Sequence, residues 1–269
     1  MKLPISAFII TKNEELNIAK AINSLKSIVD DLHIIDSGSE DNTVQIAENL
    51  GAKVIYNEWS GYIAQKIFGE KLCKHKWILN IDADEELTPE LVAEIRYIFE
   101  SKQQNSYKAY RINFVILHRN DEKPKFLAPA NSFIRLYDKN LARFKSINSG
   151  LTHDTVLMQQ DLPEQGNVKI LSAPAYHRSA TSIEQLVRKA NFYTDQQAED
   201  LINKGRIPNK LRIISEFFFW FLKAFFIRRY FVFGFDGFVD SIIFAFSRFI
   251  RLAKARELAQ EKHRSTTTK

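Results

Sequence analysis

Trp77-Ile78-Leu79-Asn80-Ile81-Asp82-Ala83-Asp84-Glu85 is the stretch on which the fold turns. A short apolar run stops at paired carboxylates, and Thr88-Pro89 just beyond opens a helix with proline at its first position. A buried strand that ends in acid and passes at once into a helix belongs to a parallel sheet, whose ligands sit outside the carboxyl ends of its strands. Two upstream stretches repeat the pattern. Residues 5–11 form an Ile-rich run ending in Thr11-Lys12-Asn13-Glu14, and residues 32–36 end in Asp36 before the turn Ser37-Gly38-Ser39. Helical spacing at Leu16, Ala19, Ile22 and Leu25 lies between them. A helix over 43–50 stopping at Gly51, a strand over 53–56 and a helix over 63–73 complete the alternation. The expected fold class is therefore α/β, three layers around a mostly parallel central sheet.

Beyond residue 100 the pattern changes. Strand-rich pieces at 109–117, 132–137 and 168–171 alternate with irregular links. Thr181 with Glu184 predicts a capping box ahead of a long helix to about residue 203. Two further amphipathic helices follow, split near Phe233-Gly234. The expected division is 1–203 as one domain (1–100 binding a nucleotide-sugar, 101–203 an acceptor) and 204–269 as a basic, aromatic, membrane-associating region.

Charge supports that division. Residues 1–203 hold 24 Lys+Arg against 27 Asp+Glu, whereas residues 204–269 hold 14 against 5. Thirteen of the 21 phenylalanines lie between residues 217 and 249. Cations beside apolar rings suit an anionic membrane surface; a packed helical subdomain with a solvated basic side is the alternative. Nucleic acid is not expected, because a Phe-rich face poor in Gly, Ser and Asn reads bases badly. The longest uncharged stretch of the region, 241–247, is far shorter than the roughly 18 residues of a spanning helix. The single cysteine, Cys73, excludes a disulfide framework. The expectation is a cytoplasmic protein, peripheral on the inner face of the cell membrane.

Three strand ends thus deliver carboxylates to one crevice, where bare like charges repel. A divalent cation resolves this, and hard oxygen ligands select Mg²⁺ or Mn²⁺, ions that share their shell with substrate phosphates.

These three runs, 9–15, 34–43 and 77–85, resemble family 2 glycosyltransferases of the GT-A fold. Gly61-Tyr62 with Gln65-Lys66, Arg135-Leu136-Tyr137, Thr152-His153-Asp154 and the aromatic C-terminal helices are similar to the lipopolysaccharide core β-glucosyltransferase branch. The resemblance implies a UDP-sugar donor, with Thr11, Glu14 and Asp36 around uracil and ribose and Asp82 at the nucleotide. It implies Asp84 as ligand of the cation and Lys66 near ribose or phosphate, an ordinary surface lysine being the alternative. Many relatives carry a second Asp where this chain has Ser37. Asp154 matches the acidic position of the family's His-acid motif and would be the catalytic base, or else a capping or salt-bridged Asp. His177 either approaches the metal or diphosphate or is a hydrogen-bonded structural histidine. Arg135 either meets an anionic acceptor group or pairs with Asp138. The implied reaction is inverting, metal-dependent transfer of a hexose, glucose first, to the heptose of a lipid-linked core oligosaccharide. The alternatives are transfer to polyprenyl phosphate or another envelope glycan, and a noncatalytic nucleotide-sugar-binding scaffold.

Overall fold

A computed structural model describes residues 1–119, 121–145, 155–178 and 182–267. The strands are β1 (Leu3–Thr11), β2 (Val29–Asp36), β3 (Lys53–Tyr56), β4 (Trp77–Asn80), β5 (Glu85–Leu87), β6 (Ala109–Ile116), β7 (Ala130–Asp138), β8 (Ala142–Phe144), β9 (Val156–Met158), β10 (Val168–Ile170) and β11 (Ala175–His177). The helices are α1 (Ile18–Leu25), α2 (Thr43–Asn49), α3 (Tyr62–Leu72), α4 (Pro89–Glu100), α5 (Ile183–Asn203), α6 (Lys210–Leu222) and α7 (Gly234–Thr267). They form two compact units, residues 1–116 with 130–179 and residues 117–129 with 180–269.

In the first unit one large sheet runs in the order β3-β2-β1-β4-β7-β6-β11-β5, with β10 pairing β6. The β3-β2-β1-β4 half is wholly parallel; β7 and β5 run against their neighbours, while β10 and β11 run parallel to β6. The mostly parallel α/β sheet inferred from the strand ends is the one observed. Both faces are covered, as alternation along β1 requires. Ile5, Ala7 and Ile9 join Ile18, Ile22, Leu91 and Ile95 on one side. Phe8 and Ile10 join Cys73, Phe144, Val156 and Met158 on the other. The register aligns Thr11 with Asp36 and Phe8 with Asn80, so the carboxyl ends of β2, β1 and β4 lie side by side.

Local departures from the sequence reading have physical causes. The buried stripe of α1 is Ile18, Ala21, Ile22 and Leu25, while Leu16 lies before the helix and is exposed. The 16/19/22/25 spacing fitted a helix equally well and chose the wrong starting residue. Thr88 caps α4 as expected, its hydroxyl accepting from the Leu91 amide. Helix α5 is capped by Ser182, which accepts from the Gln185 amide; Thr181 lies outside the described residues. Strands β5, β8 and β9, each three residues long, gave no periodic signal.

The second unit is helical, with α7 packing along α5 and α6. A π-helical turn (Lys223–Ile227) and a short 3₁₀ turn (Tyr230–Phe233) separate α6 from α7. Tyr230–Lys262 contains an 18-residue window of mean hydropathy 1.4, long and apolar enough to cross a membrane by length and composition. This corrects the expectation that nothing here reaches spanning length. Counting only uninterrupted runs let Asp236 and Asp240 break the stretch, and Asp240 is neutralised inside its own unit by Arg119 at 2.9 Å, with His118 at 3.3 Å. Much of this unit's surface is apolar: Leu211, Ile214, Phe218 and Leu222 stay exposed along α6, and Phe235, Phe238, Ile242 and Phe246 along α7.

Candidate active site

Asn80 is the one polar side chain in β4, and it is fully buried. Its amide nitrogen donates to the Phe8 carbonyl at 3.2 Å, and its oxygen accepts from Arg135 at 2.9 Å. Arg135 arrives on β7, antiparallel to β4, with its guanidinium over the Phe114 and Phe133 rings at 5.2 and 5.3 Å. Its other terminal nitrogen donates to Asp82 at 2.7 Å and to Glu85 at 2.6 Å. From the opposite face α3 sends in Lys66, also fully buried, whose Nζ lies 2.8 Å from the second oxygen of Asp82. Both Asp82 oxygens are thus engaged by cations, and its amide donates to Glu85 at 2.8 Å. Buried charges persist only when paired this fully.

The titration pattern follows. Burial alone raises the Asp82 carboxyl, but Arg135 and Lys66 outweigh it and hold Asp82 well below the carboxylate range. Glu85 shares Arg135 with Asp82; burial and the Asp82 charge win there, pushing it up to about 7.

Asp84 points elsewhere. The antiparallel pairing of β5 with β11 places His177 opposite Glu85, and the His177 Nε2 lies 3.5 Å from Asp84 Oδ2. The Arg178 amide fixes the loop by donating to the Asp84 carbonyl at 2.8 Å. Burial disfavours the imidazolium, but Asp84, then Glu85 and Asp82, raise His177 to about 9. The folded imidazole therefore keeps its proton to about pH 9, against 6.5 unperturbed. The stabilisation is complete below 6.5 and lost as pH rises through 9. In metal-free protein the melting midpoint should fall over that window, and His177→Gln should flatten the fall. An unchanged slope in the variant would assign the titration to another group.

Among the described residues no cluster of three or more His, Cys, Asp or Glu forms a metal cage. What converges is one carboxylate and one imidazole. That donor set fits a cation that completes its shell with diphosphate oxygens and water, and its affinity should depend on pH because His177 must first lose its proton.

At the neighbouring strand ends, Thr11 and Ser37 are buried and their hydroxyls have no hydrogen-bond partner among the described residues. Asp36 shapes its own turn, accepting from the Gly38 and Ser39 amides at 2.8 and 2.9 Å and from the Ser39 hydroxyl. Glu14 accepts from Asn17 at 2.8 Å, and its amide donates to Thr43. Strand pairing thus sets Thr11 beside Asp36, and side-chain contacts gather Lys66, Asp82, Arg135 and, through Asp84, His177. Asp154 and His153 lie outside the described residues.

Two sequence readings change. Lys66 is no surface lysine, and Arg135 pairs with Asp82 and Glu85, while Asp138 pairs with Lys76 at 3.1 Å. Sequence reasoning assigned no role to Asn80, Glu85, Phe114 or Phe133. A polar Asn inside an apolar strand was the one available signal; the others require knowing which strands are neighbours.

A model of the family described as "Glycosyl transferase family 2" matches residues 6–159. An "uncharacterized glycosyltransferase" of Rickettsia felis is 58% identical over 94% of this chain and 89% of its own. The lipopolysaccharide core biosynthesis glycosyltransferase LpsC of Rhizobium meliloti is 28% identical over 94% of this chain and 92% of its own. Among solved structures, glucosyl-3-phosphoglycerate synthase from Mycobacterium tuberculosis, with Mn²⁺, UDP and glucosyl-3-phosphoglycerate, aligns at 17% identity and TM-score 0.46 over 77% of this chain and 81% of that one.

Proposed function

The chain belongs to glycosyl transferase family 2, and from that premise we propose that it is an inverting, metal-dependent hexosyltransferase. Its donor is a UDP-sugar, UDP-glucose first, and its acceptor the heptose of a lipid-linked lipopolysaccharide or lipooligosaccharide inner core. The observation that carries this reading is the gathering of Lys66, Asp82, Asp84, Arg135 and His177 at the carboxyl edge of the parallel strands. The similarity to LpsC over nearly the whole chain supports the acceptor class.

Each residue then has a task. Thr11, Ser37 and Asp36 line the nucleoside end, where two buried hydroxyls have no hydrogen-bond partner among the described residues. Glu14 borders the same end. Lys66 and Arg135 fix Asp82, so that the loop carrying Asp84 is held rigidly. Asp84 and His177 would hold the cation, which when bound neutralises charge on the departing diphosphate. Asp154 takes the proton of the acceptor hydroxyl as its oxygen bonds to the anomeric carbon and the carbon–oxygen bond to UDP breaks. One displacement inverts the configuration.

Transfer occurs at a membrane. The exposed apolar stripes of α6 and α7, in a region with 14 Lys+Arg against 5 Asp+Glu, suit the headgroup layer of an anionic inner leaflet. The enzymatic test is release of UDP from UDP-glucose with Mn²⁺ and a purified heptose-terminated core acceptor, with Asp154→Ala expected to abolish turnover while sparing UDP binding. Release of UDP without transfer to any core acceptor would overturn the acceptor, and full activity of Asp154→Ala would overturn the base.

A further inference from the structure

The cations of the helical unit are not used alike. Lys254 is spent inside the fold, its Nζ 2.6 Å from Asp195 and 3.0 Å from the Thr194 hydroxyl, and Arg251 is bound to Glu216 at 2.7 Å. Lys223, Arg228 and Arg248 form no ion pair among the described residues, yet they converge. Lys223 and Arg248 lie over the Trp220 ring at 4.3 and 4.7 Å; Arg228 and Arg248 lie over Phe244 at 4.7 and 5.0 Å. The two rings meet edge to face at 5.8 Å. Three cations thus stack on two adjoining rings, with Arg248 common to both. Glu216, the acid on that side, is already taken by Arg251 and by the Trp220 indole N–H at 3.1 Å.

Such an arrangement sets like charges close together. Rings attract cations but do not cancel the repulsion among them. Burial, then Arg251 and Arg228, lower Arg248 to about 10, and its Nε is buried without an acceptor. An oxyanion between the three would relieve both defects, and guanidinium groups match phosphate oxygens in geometry as well as charge. The edge of the cage is apolar and open: Phe219, under Lys223 at 5.8 Å, is 58% exposed, and Phe226 and Ile227, just before Arg228, are also exposed.

We propose that Lys223, Arg228 and Arg248, set on Trp220 and Phe244, form a binding site for the phosphate of an anionic lipid headgroup. A monoester phosphate fits best, because it leaves the most oxygens for three donors, while acyl chains lie against Phe219, Phe226 and Ile227. This deepens the membrane reading of the helical unit and rests on it. It adds a specific headgroup contact to what is otherwise diffuse attraction.

The test compares full-length protein on phosphatidylcholine vesicles carrying phosphatidic acid with vesicles carrying phosphatidylglycerol at matched surface charge, alongside titration with inorganic phosphate read by Trp220 emission. The parent should prefer phosphatidic acid about tenfold or more, and inorganic phosphate should perturb Trp220 and compete. Arg248→Gln and the exposed-site Arg228→Gln should each remove the preference while retaining binding to phosphatidylglycerol; because Arg228 is exposed, its variant keeps the test valid should Arg248→Gln fail to fold. Equal loss on both vesicle types would reduce the site to general electrostatics and overturn the proposal. So would a phosphate response with no lipid preference, which would assign the cage to a soluble phosphate. Absence of binding to any vesicle would instead overturn the membrane reading itself.

Discussion

Asp84→Asn should leave a folded protein whose turnover is lower by roughly a thousandfold or more, the several kcal/mol that a positioned cation supplies to a departing charge. The reason to expect a clean result lies in its partner. His177 is raised to about 9 largely by Asp84, so when that carboxylate is neutralised the imidazole can release its proton and no stranded charge remains. The melting midpoint should therefore fall at neutral pH by the stabilisation the pair supplies there, without the larger cost of a stranded charge, while Mn²⁺-dependent UDP binding disappears and the His177 ring, followed by NMR, titrates lower. Activity within tenfold of the parent would remove Asp84 from the metal site.

Arg135→Met should do the opposite and act first on stability. Arg135 bridges Asn80, Asp82 and Glu85 from over the adjoining Phe114 and Phe133 rings, and it is buried. Removing one member of a buried ionic network costs about 3–5 kcal/mol, because the partners keep their desolvation without their counter-charge. Lys66 still holds Asp82, so Glu85 bears most of the loss. Its carboxyl, already at about 7, should be driven higher and protonate. Adding Glu85→Gln to Arg135→Met should then recover part of the stability in urea melts at pH 8. A double variant no more stable than Arg135→Met would show that the ring packing, and not the charge, was lost.

How much of this was legible in the sequence depends on the range of the contact. The first four strands could be read because each announces itself locally: an apolar run, then a polar stop, as at Thr11, Asp36 and Asp82. The acidic pair 82/84 stood out as a candidate site for the same reason. Its internal division of labour was not legible, because that depends on Lys66 and Arg135 reaching Asp82 from different elements. Charge composition marked the C-terminal helices, yet the cations spaced by three at 248, 251 and 254 meet three different fates: ring stacking, a Glu216 pair and an α5 clamp. Helical periodicity places side chains on a face; it does not say what stands opposite.

The position of β11 has one more consequence. It lies between β6 and β5, and its last residue is His177, beyond the span 6–159 that the family model recognises. A fragment cut at that recognised boundary would forfeit half of the proposed cation pair, and in addition leave the backbone edges of β5 and β6 open to pairing with other chains. Such a fragment should precipitate rather than work, and during synthesis the catalytic centre can close only after the ribosome has delivered the strand that plugs this gap.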